Sequence, residues 1–188
     1  MPMEKELYFL RSSEQYLAKE LLVYAARLDE TGESLDAYPS LEQYERNYGS
    51  YSGDTGVYII VDKKVAGGAW VRLLANGYGH IDHDTPELVF AVKPAFRNQG
   101  IGTAIMHQLF IEVSKVFKRI SLSVKEGSPA VALYERLGFS KVEGSEHENS
   151  SGSISFKMLK ILDEQKPTEK ETKHLEEECF RKSFSHRE

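Results

Sequence analysis

Residues 87–102 read Glu87-Leu88-Val89-Phe90-Ala91-Val92-Lys93-Pro94-Ala95-Phe96-Arg97-Asn98-Gln99-Gly100-Ile101-Gly102. An apolar, β-rich run stops at Pro94, which has no N–H to give a sheet ladder. A short polar loop follows, and two glycines bracket the start of a helical pattern. Ile105, Leu109, Val113 and Val116 form its apolar stripe, so a helix is expected over 100–117. Glycine there permits unusual φ values and lets a ligand approach the main chain. Successive N–H groups at a helix start form an anion nest, and the helix dipole adds positive potential. A pyrophosphate suits such a nest, with Arg97 adding charge and Asn98 and Gln99 contributing their N–H groups. A dinucleotide-binding loop would need a third glycine where Ile105 stands, and the lysine of a nucleoside-triphosphate loop is absent.

Working outward toward the C-terminus, Ile120, Leu122 and Val124 alternate as a buried strand. Residues 128–137 read as a second helix, with Ser128 as N-cap, Pro129 at its first position and Gly138 just past its end. Residues 139–142 and 154–158 are closing strands. Toward the N-terminus, residues 56–61 and 65–74 read as a hairpin across Asp62-Lys63-Lys64, followed by a turn at Asn76-Gly77-Tyr78-Gly79. Residues 7–10 open the chain as a strand. Ser12-Ser13-Glu14-Gln15 fits a capping box with Ser12 as N-cap, ahead of a helix carrying Leu17, Leu21, Tyr24 and Leu28. Residues 41–48 suggest a shorter second helix. The order predicts an α/β (α+β) domain with a mixed sheet of about seven strands and about four helices. Antiparallel pairing is expected in the first half, and helix crossovers allow parallel neighbours in the second.

The 188 residues suit one domain, expected over 1–162, and a tail over 163–188 that is rich in Glu and Lys. That tail reads as disordered or as a surface helix, with Phe180 and Phe184 on one face. The net charge of -5 argues against binding to nucleic acid and leaves room for a cationic acceptor. The single cysteine, Cys179, forms no internal disulfide, which points to a reducing, cytoplasmic setting. The first residues are too charged for a signal peptide, and no apolar run has the length of a membrane span.

Arg97-Asn98-Gln99-Gly100-Ile101-Gly102 resembles the Arg/Gln-x-x-Gly-x-Gly/Ala signature of the GNAT (Gcn5-related N-acetyltransferase) family. Val92-Lys93-Pro94 resembles that family's strand ending. Ser128-Pro129-Ala130-Val131-Ala132-Leu133-Tyr134-Glu135-Arg136-Leu137-Gly138-Phe139 resembles its second cofactor-side segment. The resemblance covers residues 6–160 and implies a GNAT fold with the sheet splayed at its central strands. It implies acetyl-CoA as co-substrate, without a metal, and transfer to a primary amine of a small molecule or a protein. Dimers being common in that family, a homodimer is a further expectation.

By the same resemblance, main-chain groups of Phe90, Ala91 and Val92 hold the thioester carbonyl. Arg97, Asn98, Gln99, Gly100, Ile101, Gly102 and Thr103 hold the phosphates. Ser128 stands where family members often carry asparagine; both residues cap a helix, and Ser128 is kept as a cofactor contact. Tyr134 occupies the family's tyrosine position, where a phenol protonates the leaving thiolate. Glu87 is the candidate base, acting through water, because a partly buried carboxylate gains proton affinity.

Lys93 and Lys125 are further candidate phosphate contacts. His80-Ile81-Asp82-His83-Asp84 would put His80, Asp82 and Asp84 on one side if extended, as metal ligands, a base or a lure for cations; a solvated connector is the favoured reading. Trp70 reads as core or acceptor-pocket wall. Tyr38, Tyr44, Tyr48, Tyr51 and Tyr78 are candidates to line that pocket. Two other readings stay open: a non-catalytic acyl-CoA-binding regulatory GNAT module, and an interaction protein working through its charged tail.

Overall fold

Strands β1 (Lys5–Phe9), β2 (Thr55–Val61), β3 (Lys64–Arg72) and β4 (Glu87–Val92) form an antiparallel meander in the computed structural model, which describes residues 3–162. The β2–β3 turn takes two left-handed residues, Asp62 at φ 46° and Lys63 at φ 66°. That geometry matches the natural twist of a two-residue hairpin. Helix α1 (Gln15–Ala25) and the short α2 (Leu28–Thr31) lie between β1 and β2. Helix α3 (Ile101–Ser114) then carries the chain across to β5 (Arg119–Lys125), which pairs with β4 in parallel. After α4 (Ala130–Arg136), β6 (Ser140–Lys141) and β7 (His147–Glu148) both pair with the long β8 (Ile154–Ile161), itself antiparallel to β5.

Alternation along the strands splits the core into two layers. Val57, Ile59, Ala69, Leu88, Ile120 and Leu122 face α3, where Ile105, Met106, Leu109 and Val113 are fully buried. Tyr58, Trp70, Val89 and Ala91 face α1, against Leu17, Ala18, Leu21 and Leu22. Each such leucine or isoleucine adds about 1.5–3 kcal/mol by leaving water. Among the described residues no helix is long and apolar enough to cross a membrane.

Several expectations are corrected. Among the described residues the sheet has eight strands, the extra one being β7, a polar two-residue pair with no periodic signal. The N-terminal box sits one residue earlier: the Glu14 carboxylate accepts the Arg11 N–H at 2.9 Å, and Ser12–Glu14 is a 3-10 turn ahead of α1. The segment expected as a helix over 41–48 is a 3-10 helix, Pro39–Tyr44. Helix α3 ends at Ser114, so Val116 leaves the apolar stripe and is 67% exposed. Helix α4 begins at Ala130, whose N–H donates to Ser128 Oγ at 3.2 Å, so the serine still caps it. Gly138 closes it at φ 92°. The tail over 163–188, with Cys179, Phe180 and Phe184, lies outside the described residues.

Candidate active site

β4 and β5 share a single register pair among the described residues, Glu87 opposite Ser121, beside a bond from the Ser121 N–H to the Pro86 carbonyl at 3.0 Å. Past that point the two parallel strands separate. Strand parity decides what the gap meets. The Lys93 N–H donates to Ala66 on β3, whereas the Pro86 carbonyl faces β5. Odd-numbered main-chain groups of β4 therefore face β3, and even-numbered ones face the gap. The N–H groups of Phe90 and Val92 turn to the open edge, and that of Ala91 turns to β3. The Val92 carbonyl, also on the open edge, accepts Arg97 Nε at 3.0 Å.

At the wide end of the gap stands the start of α3. Asn98 and Gly100 are left-handed, at φ 58° and 75°. Ala104 is the first helix residue whose N–H reaches a main-chain acceptor, the Gly100 carbonyl at 3.2 Å. The N–H groups of Asn98, Gln99, Gly100, Ile101, Gly102 and Thr103 have no acceptor among the described residues. A Cβ on Gly100 would meet nothing within 4 Å, so the loop opens to solvent there. A Cβ on Gly102 would come within 3.0 Å of the Phe90 ring, so the helix start lies tight on β4. A run of free donors at the N-terminus of a helix this long fits a bound anion. Lys93 is spent elsewhere, in an ion pair with Glu20. Lys125 ends β5 and is exposed.

Tyr134 approaches from the α3 side of the sheet. It is 9% exposed and packs edge-on against Phe90 (6.2 Å between ring centres) and Phe139 (5.7 Å). Burial alone raises its phenol above the ordinary value, so the hydroxyl keeps its proton at neutral pH. Glu87 is on the opposite face, 2% exposed, under the loop 76–86. Its Oε1 accepts the Tyr44 hydroxyl at 3.0 Å and the Gly79 N–H at 2.6 Å. Its Oε2 is buried with no partner among the described residues and is turned toward Gly77, whose Cβ would fall 1.5 Å away. Burial, only partly offset by those two bonds, raises the Glu87 pKa. Tyr44 in turn accepts the Tyr78 N–H at 2.7 Å.

The wall around Glu87 hangs on β3. Trp70 is fully buried and donates Nε1 to the Tyr44 carbonyl at 2.7 Å. Arg72, also fully buried, grips Asp54 with Nε and Nη2, both at 3.1 Å, and donates to the carbonyls of Gln43 and Arg46. Of the tyrosines expected at the pocket, Tyr44 and Tyr48 are buried, and Tyr51 lies over the Arg72 guanidinium. Tyr38 donates to Glu33, and Tyr78 stacks on His147. The segment 80–84 is irregular, not extended. Asp82 accepts Thr85 Oγ1 and the Asp84 N–H and pairs with Arg119, while His80 Nδ1 sits 2.8 Å from the Leu74 carbonyl. No group of His, Cys, Asp and Glu suited to a metal occurs among the described residues.

Tyr44, expected at the pocket, is there as a partner of Glu87; Gly79 as its second partner, and the pair Ser123 with His147, carried no role in the sequence reading. Ser121 and Ser123 alternate with Ile120, Leu122 and Val124, which puts their hydroxyls on the Glu87 face. That alternation was a usable signal; His147 has none.

Residues 53–141 match the family model for the acetyltransferase (GNAT) domain. No curated protein matches the chain. Among solved structures, a GNAT acetyltransferase from Staphylococcus aureus superposes with a TM-score of 0.62 at 17% identity, over 85% of this chain and 100% of that one. The ribosomal-protein-S18-alanine N-acetyltransferase of Escherichia coli gives 0.56 at 17%, over 88% and 97%. The PaiA N-acetyltransferase of Thermoplasma acidophilum, solved with coenzyme A, gives 0.56 at 14%, over 84% and 99%. At these identities the solved structures speak to the fold, and the fold and the family match agree. Residues 53–141, the segment that matches the GNAT domain, hold both the parallel β4–β5 pair that parts and the helix start whose N–H groups have no acceptor among the described residues.

Proposed function

We propose that the protein transfers an acetyl group from acetyl-CoA to a primary amine of a small molecule or protein. One observation carries the reading: the N–H groups of residues 98–103, without acceptors among the described residues, stand beside the gap that Phe90 and Val92 line with their own amides. Acetyl-CoA supplies the activated acyl group. The N–H groups at the start of α3, with Arg97, hold its linked phosphates, and Ser128 at the start of α4 adds a polar contact. The edge amides of Phe90 and Val92 donate to the thioester oxygen, where negative charge grows as the amine attacks. Ala91 contributes through the backbone that holds these two in register.

The two titratable groups divide the proton work. Tyr134, raised by burial, keeps a proton to give the leaving thiolate. Glu87, raised by burial, takes one from the incoming ammonium, through water or through the Tyr44 hydroxyl that already donates to it. They lie on opposite faces of the sheet, so proton uptake and proton delivery are separated by the gap in which the acyl group sits. A buried carboxylate on the acceptor face favours a cationic amine.

Calorimetry with coenzyme A and acetyl-CoA, followed by a thiol-release screen across amine classes, tests the reading. Binding with amine-dependent release is expected. Binding without release under any amine would favour a regulatory acyl-CoA module, and absence of binding would reject both.

A further inference from the structure

Ser123 and His147 form a hydrogen-bonded pair that the proton chemistry above does not use. Ser123 Oγ lies 3.0 Å from His147 Nε2, and His147 Nδ1 lies 2.9 Å from the Ser145 carbonyl. A carbonyl only accepts, so in the neutral ring Nδ1 carries the hydrogen. Nε2 is left with its lone pair, and the Ser123 hydroxyl must donate to it. The Tyr78 ring fixes the imidazole from a third side, stacked at 6.0 Å and 15°, and Tyr78 is itself held by Ser40. A hydroxyl on a base that a further group orients is the arrangement of an activated nucleophile.

Its place in the fold gives this pair an electrophile. Glu87 and Ser121 are the last paired residues of β4 and β5, so the parallel register carries Ser123 opposite Val89, at the first open position of the gap. Ser123 thus faces the strand whose Phe90 and Val92 amides are assigned to the thioester oxygen. Ser121, two residues earlier, is fully buried beside the Pro86 carbonyl and has no such access.

We infer that Ser123 is an internal acetyl acceptor, with His147 as its base, so that the protein acetylates itself when no amine is present. This rests on the acetyl-CoA reading above. Ser123 Oγ bonds to the acetyl carbon as the carbon–sulfur bond breaks. The hydroxyl proton passes to His147 Nε2, and the departing thiolate takes a proton from Tyr134 or water. The resulting ester is opened by water, giving acetate, or by an amine, giving the acetamide; either route restores the serine.

The test incubates the full chain with acetyl-CoA and no amine, quenches in acid, and reads intact mass, peptide map and released coenzyme A. One added acetyl group mapped to Ser123, or amine-independent thiol release that Ser123→Ala abolishes, is expected. His147→Gln should slow either readout about 100-fold, the low end for a general base. Calorimetry with coenzyme A on each variant reports whether the site is intact. Acetyl-CoA bound with neither adduct nor release overturns this inference and leaves the proposed function standing; so does an acetyl group found elsewhere, or release that Ser123→Ala leaves unchanged. A protein that binds no acetyl-CoA overturns both.

Discussion

Replacing Gly77 by alanine adds one methyl group in the worst available place. The new Cβ would stand 1.5 Å from Glu87 Oε2, 2.3 Å from Cδ and 2.6 Å from Oε1. An ordinary contact needs about 3.5–4 Å, so the carboxylate must move by about 2 Å. It has nowhere to go without loss, because it is 2% exposed and Oε1 is bonded to Tyr44 and Gly79. Overpacking costs about 1–3 kcal/mol, and a buried polar group stripped of its partner costs about 1–3 kcal/mol. A loss of about 3 kcal/mol is expected, or about 6–12 °C in Tm for a chain of this size. Gly144→Ala is the control: its φ of 71° strains an alanine, yet nothing lies within 4 Å, so only about 1 kcal/mol is lost. Differential scanning calorimetry reads both variants, and thiol release reads the effect of displacing Glu87. A Gly77→Ala protein that melts with the parent and turns over normally would show that the Glu87 cradle is not the rigid enclosure described.

Tyr134→Phe keeps the ring packed on Phe90 and Phe139 and removes only the hydroxyl, which the proposed function uses as proton donor; kcat should fall about 100-fold with the KM for acetyl-CoA unchanged, as steady-state kinetics will read. Glu87 holds its proton more tightly folded than unfolded, because burial raises its pKa, so its contribution to stability declines as pH rises from the ordinary carboxylate range through that raised value. Urea unfolding across pH should therefore show Glu87→Gln gaining on the parent through that window, with the difference constant below it and constant at its larger value above it. Arg72→Met leaves the buried Asp54 carboxylate without its counter-ion, held only by the Gly49 and Tyr51 N–H groups, and urea unfolding should register a loss of about 3 kcal/mol, part of which Arg72→Met with Asp54→Leu recovers.

The turn from β4 into α3 was legible because its information is local. Left-handed Gly100, the helix behind it and the strand before it lie within one short stretch, and each leaves a mark on residue choice. The hairpin turn at Asp62-Lys63 and the Ser128 cap were readable for the same reason. The surroundings of Glu87 were not, since Tyr44, Gly77 and Gly79 reach it from other segments and no periodicity couples them. Arg72 ends an apolar strand, where a charge reads as the return to solvent; its burial depends on carbonyls from the 43–47 turn and on Asp54. Val116 fits the helical stripe in spacing, but the helix tightens after Ser114, with Val116 N–H on the Val113 carbonyl, and the side chain rotates out of the core.

The interrupted pairing between β4 and β5 has a mechanical side. Among the described residues the sheet consists of two half-sheets, β1–β4 and β5–β8, that share one rung, so the covalent bridge through α3 and the packing beneath it hold the halves together. An extended molecule lying along the seam would supply rungs that the protein lacks. By thermodynamic reciprocity, such a molecule is clamped by the halves to the same degree that it sutures them. Amide hydrogen exchange should accordingly slow along both lips of the seam when it is filled.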